Sequence, residues 1–405
     1  MTTYAILTVP AHGHINPTLA LAQELVECGE RVIYYQTKEF RPAVEATGAI
    51  FRLYENETWQ RYHPLLSSTL TGNPDLANRV GLMATLATES VKEMPQLMEQ
   101  MVADHIECVL YDRTLISGAL TSQTLHLPAV QLSPSFAINE QAFKQVARQM
   151  TETEQPATQW WTAINEKLAR ECETYKLPRF AFHELMRRVE DLNIVFLPRA
   201  FQPAGETFDE HYVFVGPSLM ERRYDSGDFP LEWLEKRPLL YISLGTAFND
   251  WLDFYRMCFD AFAQSEWQVI LSFGTRIDPA ALKESPANFL IAPHVPQLEV
   301  LSRADLFISH GGMNSIMESL SFGVPLVVVP QMIEQEINAH RVQELGLGLA
   351  LEKETLTTDK LCAAASQVAG DASFRARVQE MQQEVRQAGG YRRAADAIIR
   401  YMQRA

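Results

Sequence analysis

The chain has 405 residues, of which 47% are hydrophobic and 21% are charged. This is the composition of a globular protein, and the length exceeds the size at which a single core stops growing, so we expect two domains. The formal net charge of −15 argues against a nucleic-acid partner and against attraction to an anionic membrane surface, because both require clustered Lys and Arg.

The amino-terminal segment MTTYAILTVPAHGHINP predicts a first β-strand rather than a signal peptide, because no basic residues precede its short apolar run. No apolar stretch reaches the length of a membrane span. The cysteines are far apart, with neither a Cys-x-x-Cys pair nor a metal-ligand spacing. They are Cys28, Cys108, Cys172, Cys258 and Cys362. We therefore expect reduced thiols and a cytoplasmic protein.

The first half of the sequence alternates between predicted strands and predicted helices. Strands are expected at residues 5–9, 31–36, 51–54, 108–111 and 129–132. Helices are expected at residues 17–28 and 76–105 and over most of 136–190, with a polar and aromatic loop at 55–73. Such alternation predicts a parallel, doubly wound sheet.

A polar segment containing Pro and Gly, residues 216–237, is predicted to link this region to a second domain. Beyond it, strands are expected at residues 239–243, 268–273, 289–292, 306–309 and 325–329. Helices are expected at residues 254–264, 314–322, 378–386 and 392–402. The sequence thus predicts two similar α/β sheets with a cleft between them.

The turn after the strand at 306–309 has the composition of an anion site. Gly311 and Gly312 allow a ligand to approach the backbone closely, and the first N–H groups of the following helix have no partner inside that helix. His310 adds a donor, so a phosphate or diphosphate is the expected guest. Taken alone, His-Gly-Gly is more often only a tight turn, and an Asn or Ser after it only a helix cap.

The residues around this turn favour a nucleotide-sugar site. Glu318 follows Asn314 by four residues, so both share one helix face, where the carboxylate could accept hydrogen bonds from ribose hydroxyls. Glu334 and Gln335 follow the next strand and could bind sugar hydroxyls. Ligands of open α/β sheets bind where the strands end, so phosphate, ribose and sugar contacts would converge there.

Two polar residues in the first half follow predicted strands of one sheet. His14 lies after the first strand, just before Asn16 and Pro17, which are suited to cap and open a helix. Asp112 follows the strand at 108–111. An imidazole beside a carboxylate is an acid–base pair. From spacing alone, it is at least equally common for such residues to be only a turn histidine and a helix-capping Asp.

Residues 294–340 resemble the donor-binding signature of the nucleotide-sugar-dependent glycosyltransferases that modify small lipophilic acceptors. The bacterial macrolide and flavonoid transferases are the most similar, and the resemblance covers nearly the whole chain. It implies a GT-B fold, in which two Rossmann-like doubly wound α/β domains face each other across a cleft. The implied divisions are an acceptor domain at 1–215, a linker at 216–237, a nucleotide-sugar domain at 238–385, and a helix at 386–405 that crosses back.

The resemblance also implies the roles of particular residues. It assigns His14 as the general base, with Asp112 as its partner. It assigns the donor contacts as follows: Val295 and Gln297 to the base and ribose, His310, Gly312, Asn314, Ser315 and Thr246 to the diphosphate, Glu318 to the ribose, and Glu334 and Gln335 to the sugar. Glu334 departs from the family pattern, in which Asp is commoner. His12 has no implied chemistry, and we interpret it as structural.

The implied reaction is an inverting, metal-independent transfer of a hexose, with UDP-glucose as the expected co-substrate and no cofactor. The sequence contains no Asp-x-Asp motif and no metal-ligand cluster, so His310, the helix N-terminus and Thr246 would balance the diphosphate charge. The acceptor would be a macrolide, a flavonoid or another phenolic, held by aromatic residues such as Phe136, Trp160 and Trp161. For each of these residues, a position in the core or at the surface is commoner than a ligand contact, because aromatic residues in helices are usually packing. A monomer or a homodimer is expected.

Three other functions compete with this one. A nucleotide-sugar epimerase on the same fold would not need a His–Asp pair at a strand end. A catalytically silent partner protein could retain residues 294–340 but would tend to lose His14 or Asp112. A dinucleotide oxidoreductase is not indicated, because the first strand is not followed by Gly-x-Gly-x-x-Gly.

Overall fold

The structure is a computed structural model that describes residues 1–54, 76–147, 158–181, 188–220, 229–246, 249–282 and 284–404. The chain divides into two compact units. The first unit comprises Met1–Ser218 together with Ala388–Ala405, and the second comprises Leu219–Gln387. No helix in the described ranges is long and apolar enough to cross a membrane.

In the described part of the first unit, seven parallel strands form one sheet in the order β3-β2-β1-β4-β5-β6-β7. The strands are β1 (Thr3–Leu7), β2 (Arg31–Gln36), β3 (Ile50–Leu53), β4 (Cys108–Asp112), β5 (Ala129–Ser133), β6 (Leu192–Val195) and β7 (Tyr212–Phe214). The central strands β1, β4 and β5 are buried throughout. They are near-continuous apolar runs because helices cover both faces of a parallel sheet.

The helices of the first unit lie between these strands and at the chain's end. They are α1 (His12–Glu27), α2 (Arg41–Glu45), α3 (Leu76–Ala103), α4 (Ile116–Leu125), α5 (Glu140–Ala147), α6 (Thr158–Thr174) and α13 (Gly390–Met402). The last helix packs against α1, and the Gly390 N–H donates to the Val215 carbonyl at 2.6 Å.

The start of α1 differs from the prediction. We expected the helix to begin at Pro17 with Asn16 as its cap, but it begins at His12, and Ala11 is the N-cap without a side-chain hydrogen bond. Pro17 therefore lies in the second turn, where it lacks the N–H of one helical hydrogen bond and its ring crowds the carbonyl four residues earlier. His14 therefore belongs to the first turn of α1 and not to the preceding loop.

In the described part of the second unit, six parallel strands form a sheet in the order β10-β9-β8-β11-β12-β13. The strands are β8 (Leu239–Ser243), β9 (Gln268–Ser272), β10 (Phe289–Ala292), β11 (Leu306–Ser309), β12 (Leu326–Val328) and β13 (Gly348–Ala350). The helices are α7 (Leu252–Phe262), α8 (Gln297–Leu301), α9 (Met313–Phe322), α10 (Ile333–Glu344), α11 (Thr358–Gly370) and α12 (Ala372–Gln387).

Both sheets are Rossmann-like, as predicted. In each sheet the first three strands of the unit follow one another toward one edge. The fourth strand pairs with the opposite side of the first, and the later strands follow it toward the other edge. The direction of winding therefore reverses between β1 and β4 in the first sheet, and between β8 and β11 in the second. Such a reversal leaves a crevice at the carboxyl ends of the two strands, where ligands of open α/β sheets bind.

Candidate active site

His14 and Asp112 meet at the reversal point of the first sheet. β1 and β4 are hydrogen-bonded neighbours, with Leu7 opposite Tyr111. Asp112 is the last residue of β4, and His14 lies in the helix that follows β1. The sheet topology thus brings together two residues that are 98 positions apart, and His14 Nδ1 lies 2.6 Å from Asp112 Oδ2.

Asp112 is held as a buried carboxylate. Its side chain is 1% exposed, and its second oxygen, Oδ1, accepts hydrogen bonds from the Thr114 backbone N–H at 2.8 Å and from Thr114 Oγ1 at 2.6 Å. Burial alone raises the pKa of this carboxyl, but His14 and the two Thr114 donors outweigh it and hold the pKa below its ordinary value.

The ionised Asp112 determines which nitrogen of the His14 ring carries the proton. A carboxylate can only accept, so Nδ1 must be the donor nitrogen of the pair. The lone pair of the neutral ring then lies on Nε2, which is the nitrogen able to take a proton from a substrate. The His14 side chain is 26% exposed, so the ring is accessible from one side while its partner is shielded. This is the arrangement of a general base with an orienting carboxylate.

The second sheet carries two matching turns at its own reversal point. β8 and β11 are neighbours, with Ser309 opposite Ser243. Each serine hydroxyl accepts a hydrogen bond from the N–H two residues later, at 3.2 Å for both Gly245 and Gly311. Those glycines have φ angles of 75° and 85°, a conformation that favours glycine. Both strands therefore end in a tight turn that presents backbone at the same edge.

His310 occupies the space between these two turns. A Cβ on Gly245 would lie 2.5 Å from His310 Cε1, and a Cβ on Gly312 would lie 2.5 Å from His310 Nε2. Burial lowers the pKa of His310 to about 4, although a hydrogen bond with the Ser243 backbone acts in the opposite direction. The ring is therefore neutral at pH 7 without a ligand.

Unpaired polar atoms surround the same edge. The buried polar atoms without a hydrogen-bond partner in the described part of the chain include four at this edge, His310 Nδ1, Asn249 Oδ1, Gln331 Nε2 and Asn338 Oδ1. Buried polar groups are normally satisfied, and each exception calls for a physical reason. A polar ligand at the ends of β8, β11 and β12 is such a reason.

Helix α9 begins where the His310 turn ends. Gly312 is its N-cap, with no side chain to satisfy the first N–H groups, and its first turn contains no acidic residue. The positive end of the helix dipole therefore points out of the sheet edge. Asn314 and Ser315, predicted as phosphate contacts, lie in this first turn, and Ser315 is 9% exposed. The local structure therefore has the features of an anion site, and the phosphate contacts stay predictions.

Replacing Gly312 with Ala should weaken diphosphate binding about tenfold or more, the effect of losing one hydrogen bond to a charged group. The φ of −61° accepts alanine, so the fold should survive, but the new Cβ must displace His310. Calorimetric titration with UDP measures the effect. Gly370→Ala is the matched control, since a Cβ there meets nothing within 4 Å. Equal UDP affinity in both variants and in the unchanged protein would show that His310 does not bind the diphosphate.

Gln297 and Glu318, both predicted to bind the ribose, are in direct contact. Gln297 Nε2 donates to Glu318 Oε2 at 2.5 Å, and the Tyr241 hydroxyl donates to Gln297 Oε1 at 3.0 Å. Glu318 is 2% exposed, and Tyr241 is stacked on Phe307 with ring centroids 4.6 Å apart. The three polar side chains form a partly buried chain of hydrogen bonds that holds the carboxylate in one orientation.

The residues predicted to read the sugar lie in the first turn of α10, not at an open sheet edge as expected. Glu334 is exposed. Gln335 is 5% exposed, and its Oε1 accepts from the Gln331 backbone N–H at 2.8 Å. One end of the Gln335 amide is therefore occupied in holding its own loop. α10 begins only five residues after β12 ends, so both residues remain near the carboxyl end of that strand.

Residues 256–389 match the family described as erythromycin biosynthesis protein CIII-like, C-terminal domain. Over 400 residues the chain is 43% identical to the NDP-glycosyltransferase YjiC of Bacillus subtilis (strain 168), an alignment that covers 99% of this chain and 97% of that protein. The chain belongs to the NDP-glycosyltransferase family. The oleandomycin glycosyltransferase of Streptomyces antibioticus is 32% identical over 400 residues, covering 97% of this chain and 89% of that protein.

The fold comparison agrees with membership of this glycosyltransferase family. The crystal structure of CalG4, the calicheamicin glycosyltransferase, superposes with a TM-score of 0.86 at 32% identity, covering 100% of this chain and 99% of that one. The predicted family and the GT-B type of fold are therefore confirmed. The roles of individual residues stay predictions.

Two predicted contacts of this glycosyltransferase, Thr246 and Val295, lie in different surroundings. Thr246 is exposed beside the Gly245 turn. Val295 is 8% exposed, so its side chain belongs to the core and only its backbone could meet a nucleobase. His294, which we did not predict, is exposed just after β10. Its ring could stack on a base, and its position three residues before Gln297 was the signal that could have identified it.

The predicted acceptor residues are only partly described. Phe136 is half-buried and stacks on the buried Phe201, with ring centroids 5.8 Å apart. Trp160 and Trp161 lie in α6, but their side chains and the loop 55–73 lie outside the described residues. A cavity of about 370 Å³ is lined by residues such as Glu190 and Tyr212. It lies beside the amino ends of β6 and β7, whereas the His14–Asp112 pair lies at carboxyl ends.

Proposed function

We propose that this chain transfers a hexose, with glucose as the first candidate, from a UDP-sugar to a hydroxyl of a small hydrophobic acceptor. Macrolides, flavonoids and other phenolics are the acceptor classes to test. The observation that carries the proposal is the His14–Asp112 pair at the reversal point of the first sheet, combined with the anion-binding turn at the reversal point of the second.

The chemical step begins with proton removal. His14 Nε2 takes the proton of the acceptor hydroxyl, and the oxygen attacks the anomeric carbon of the donor as the bond to the diphosphate breaks. Asp112 stabilises the imidazolium that forms. The nucleophile and the leaving group occupy opposite faces of the carbon, so the configuration inverts. An α-linked nucleotide sugar gives a β-glycoside.

The diphosphate leaving group requires charge balance. The N-terminus of α9 supplies backbone donors and a positive dipole, and His310 lies beside it. An anion next to the neutral His310 ring favours its protonated form, so the ring can add a positive charge when the diphosphate binds. We propose that these groups act without a metal ion.

Donor recognition rests on the buried Glu318. Its carboxylate can accept a hydrogen bond from a ribose hydroxyl, which favours a UDP-sugar over a dTDP-sugar if the 2′-hydroxyl is the donor. Glu334 and Gln335 are proposed to contact the sugar. Retention of both His14 and Asp112 argues against a silent binding partner, and a base suited to an external acceptor argues against an epimerase.

The test is a product assay. The purified protein is incubated with UDP-glucose, a chelator, and a panel of phenolic and macrolide acceptors, and the products are examined for a hexose mass increment. Transfer is expected with at least one acceptor and with the chelator present. The absence of both transfer and UDP binding would overturn the proposed donor site, whereas binding without transfer would count against the enzyme itself. Activity that requires an added divalent ion would overturn metal independence.

A further inference from the structure

Asp112 has two carboxylate oxygens, and they have separate partners. Oδ2 meets His14 Nδ1 at 2.6 Å. Oδ1 accepts both the Thr114 N–H at 2.8 Å and the Thr114 hydroxyl at 2.6 Å. The carboxylate is buried, so each of these donors compensates a charge that water cannot reach. Thr114 therefore supplies both hydrogen bonds to Oδ1, the oxygen that does not contact His14.

The segment after β4 is shaped to make this contact. The Leu115 N–H donates to the Asp112 carbonyl at 2.9 Å, which closes a tight turn before α4 begins at Ile116. The turn brings both donors of Thr114 back onto the carboxylate that precedes them by two residues. Thr114 is exposed and does not form part of the core. Its hydroxyl nevertheless points at the buried Asp112.

We propose that Thr114 is a positioning residue for the transfer reaction, which fixes the Asp112 carboxylate so that a single oxygen faces His14. The inference rests on the proposed role of His14 as the base. With Oδ1 held at two points, the carboxylate cannot rotate, and His14 keeps the tautomer that leaves Nε2 basic. Without the hydroxyl, only the backbone N–H would hold Oδ1.

Two consequences follow for a variant that lacks the hydroxyl. The carboxylate loses one of its donors, so the pKa of Asp112 should rise. His14 and Asp112 titrate as a coupled pair, so a carboxylate that is held less firmly should favour the protonated form of the pair. The acid limb of the kcat/KM profile should therefore move to higher pH. The reaction should also slow about 10- to 150-fold near neutral pH, which is the range expected for a hydrogen bond to a charged group.

The experiment compares Thr114→Val, Thr114→Ser and Thr357→Val. Valine keeps the branched shape and removes the hydroxyl, whereas serine keeps the hydroxyl. Thr357 is the matched control, because it is exposed and its hydroxyl caps α11 in the other unit by accepting from the Lys360 N–H. We expect Thr114→Val to lose activity and to shift the acid limb. Thr114→Ser and Thr357→Val should retain the original profile.

Other outcomes have distinct meanings. Equal loss in Thr114→Val and Thr114→Ser, without a shift in the pH profile, would show a purely structural role and overturn the inference. Unchanged activity in Thr114→Val would overturn it as well. His14→Ala is measured alongside, because unchanged turnover in that variant would instead overturn the proposed base. The nitrogen resonances of His14 in ¹⁵N-labelled protein report its tautomer without any turnover, and we expect only Thr114→Val to alter them.

Discussion

His14→Ala should slow turnover by about 10²- to 10⁴-fold, the usual contribution of a general base. UDP affinity should stay unchanged, because the donor contacts lie on the second sheet. The physical reason is that the acceptor hydroxyl must lose its proton as it attacks, and Nε2 of His14 is the basic nitrogen in the tautomer that Asp112 selects. The measurement is kcat with saturating donor and acceptor, together with calorimetric titration of UDP.

The same helix turn provides a matched control. His12 precedes His14 by two residues, is exposed, and packs its ring edge-on against Phe40 with centroids 5.1 Å apart. His12→Ala removes an imidazole from the same turn without touching the acid–base pair, so its turnover should be close to that of the unchanged protein. The reverse result, with His12→Ala slow and His14→Ala normal, would contradict the assignment of the base.

Glu318→Gln should weaken UDP binding by about 10- to 150-fold, the range for hydrogen bonds to charged groups. Glutamine keeps the size of the side chain and can still contact Gln297, but it loses the negative charge that a ribose hydroxyl would meet. Calorimetry with UDP and with 2′-deoxy-UDP separates the effects. We expect the unchanged protein to prefer UDP and the variant to discriminate less between the two ligands.

A neighbouring carboxylate serves as the control for this substitution. Glu299 lies in α8, two residues after Gln297, and is exposed to solvent. Glu299→Gln removes the same charge from the same region without breaking the partly buried chain of Tyr241, Gln297 and Glu318. Its UDP affinity should not change. If Glu318→Gln bound UDP as tightly as Glu299→Gln, the ribose assignment would be wrong.

The long apolar strands were predictable from the sequence because they are buried on both faces of a parallel sheet. The predicted bounds of β2, β8, β10 and β11 match those in the structure. Three short strands were not predicted, although the equally short β3, β10, β11 and β12 were. β6 has four residues, while β7 and β13 have three each. A run of that length contains too few residues to show a periodicity, so its recognition depends on the residues around it. The positions of these three strands are fixed by pairing with neighbours that are distant in sequence.

The main residues of the candidate site were also predictable from the sequence, but their partners were not. The family signature located His310 and Glu318, and the strand ends located His14 and Asp112. The partners of these residues could not be predicted, since they depend on local geometry. The two hydrogen bonds of Thr114 to Asp112 require a particular turn after β4. The position of the His310 ring between Gly245 and Gly312 requires β8 and β11 to be neighbours. The start of α1 was missed because Asn16 and Pro17 resemble a helix start more than Ala11 does.

The central claim is that His14 drives a direct, inverting transfer. The most direct test is the anomeric configuration of the product, determined by proton NMR after reaction of UDP-glucose with an acceptor in the presence of a chelator, for the unchanged protein and for His14→Ala. A β-glycoside from the unchanged protein, with its formation lost in the variant, is the predicted result. An α-glycoside, or undiminished product from His14→Ala, would contradict the account.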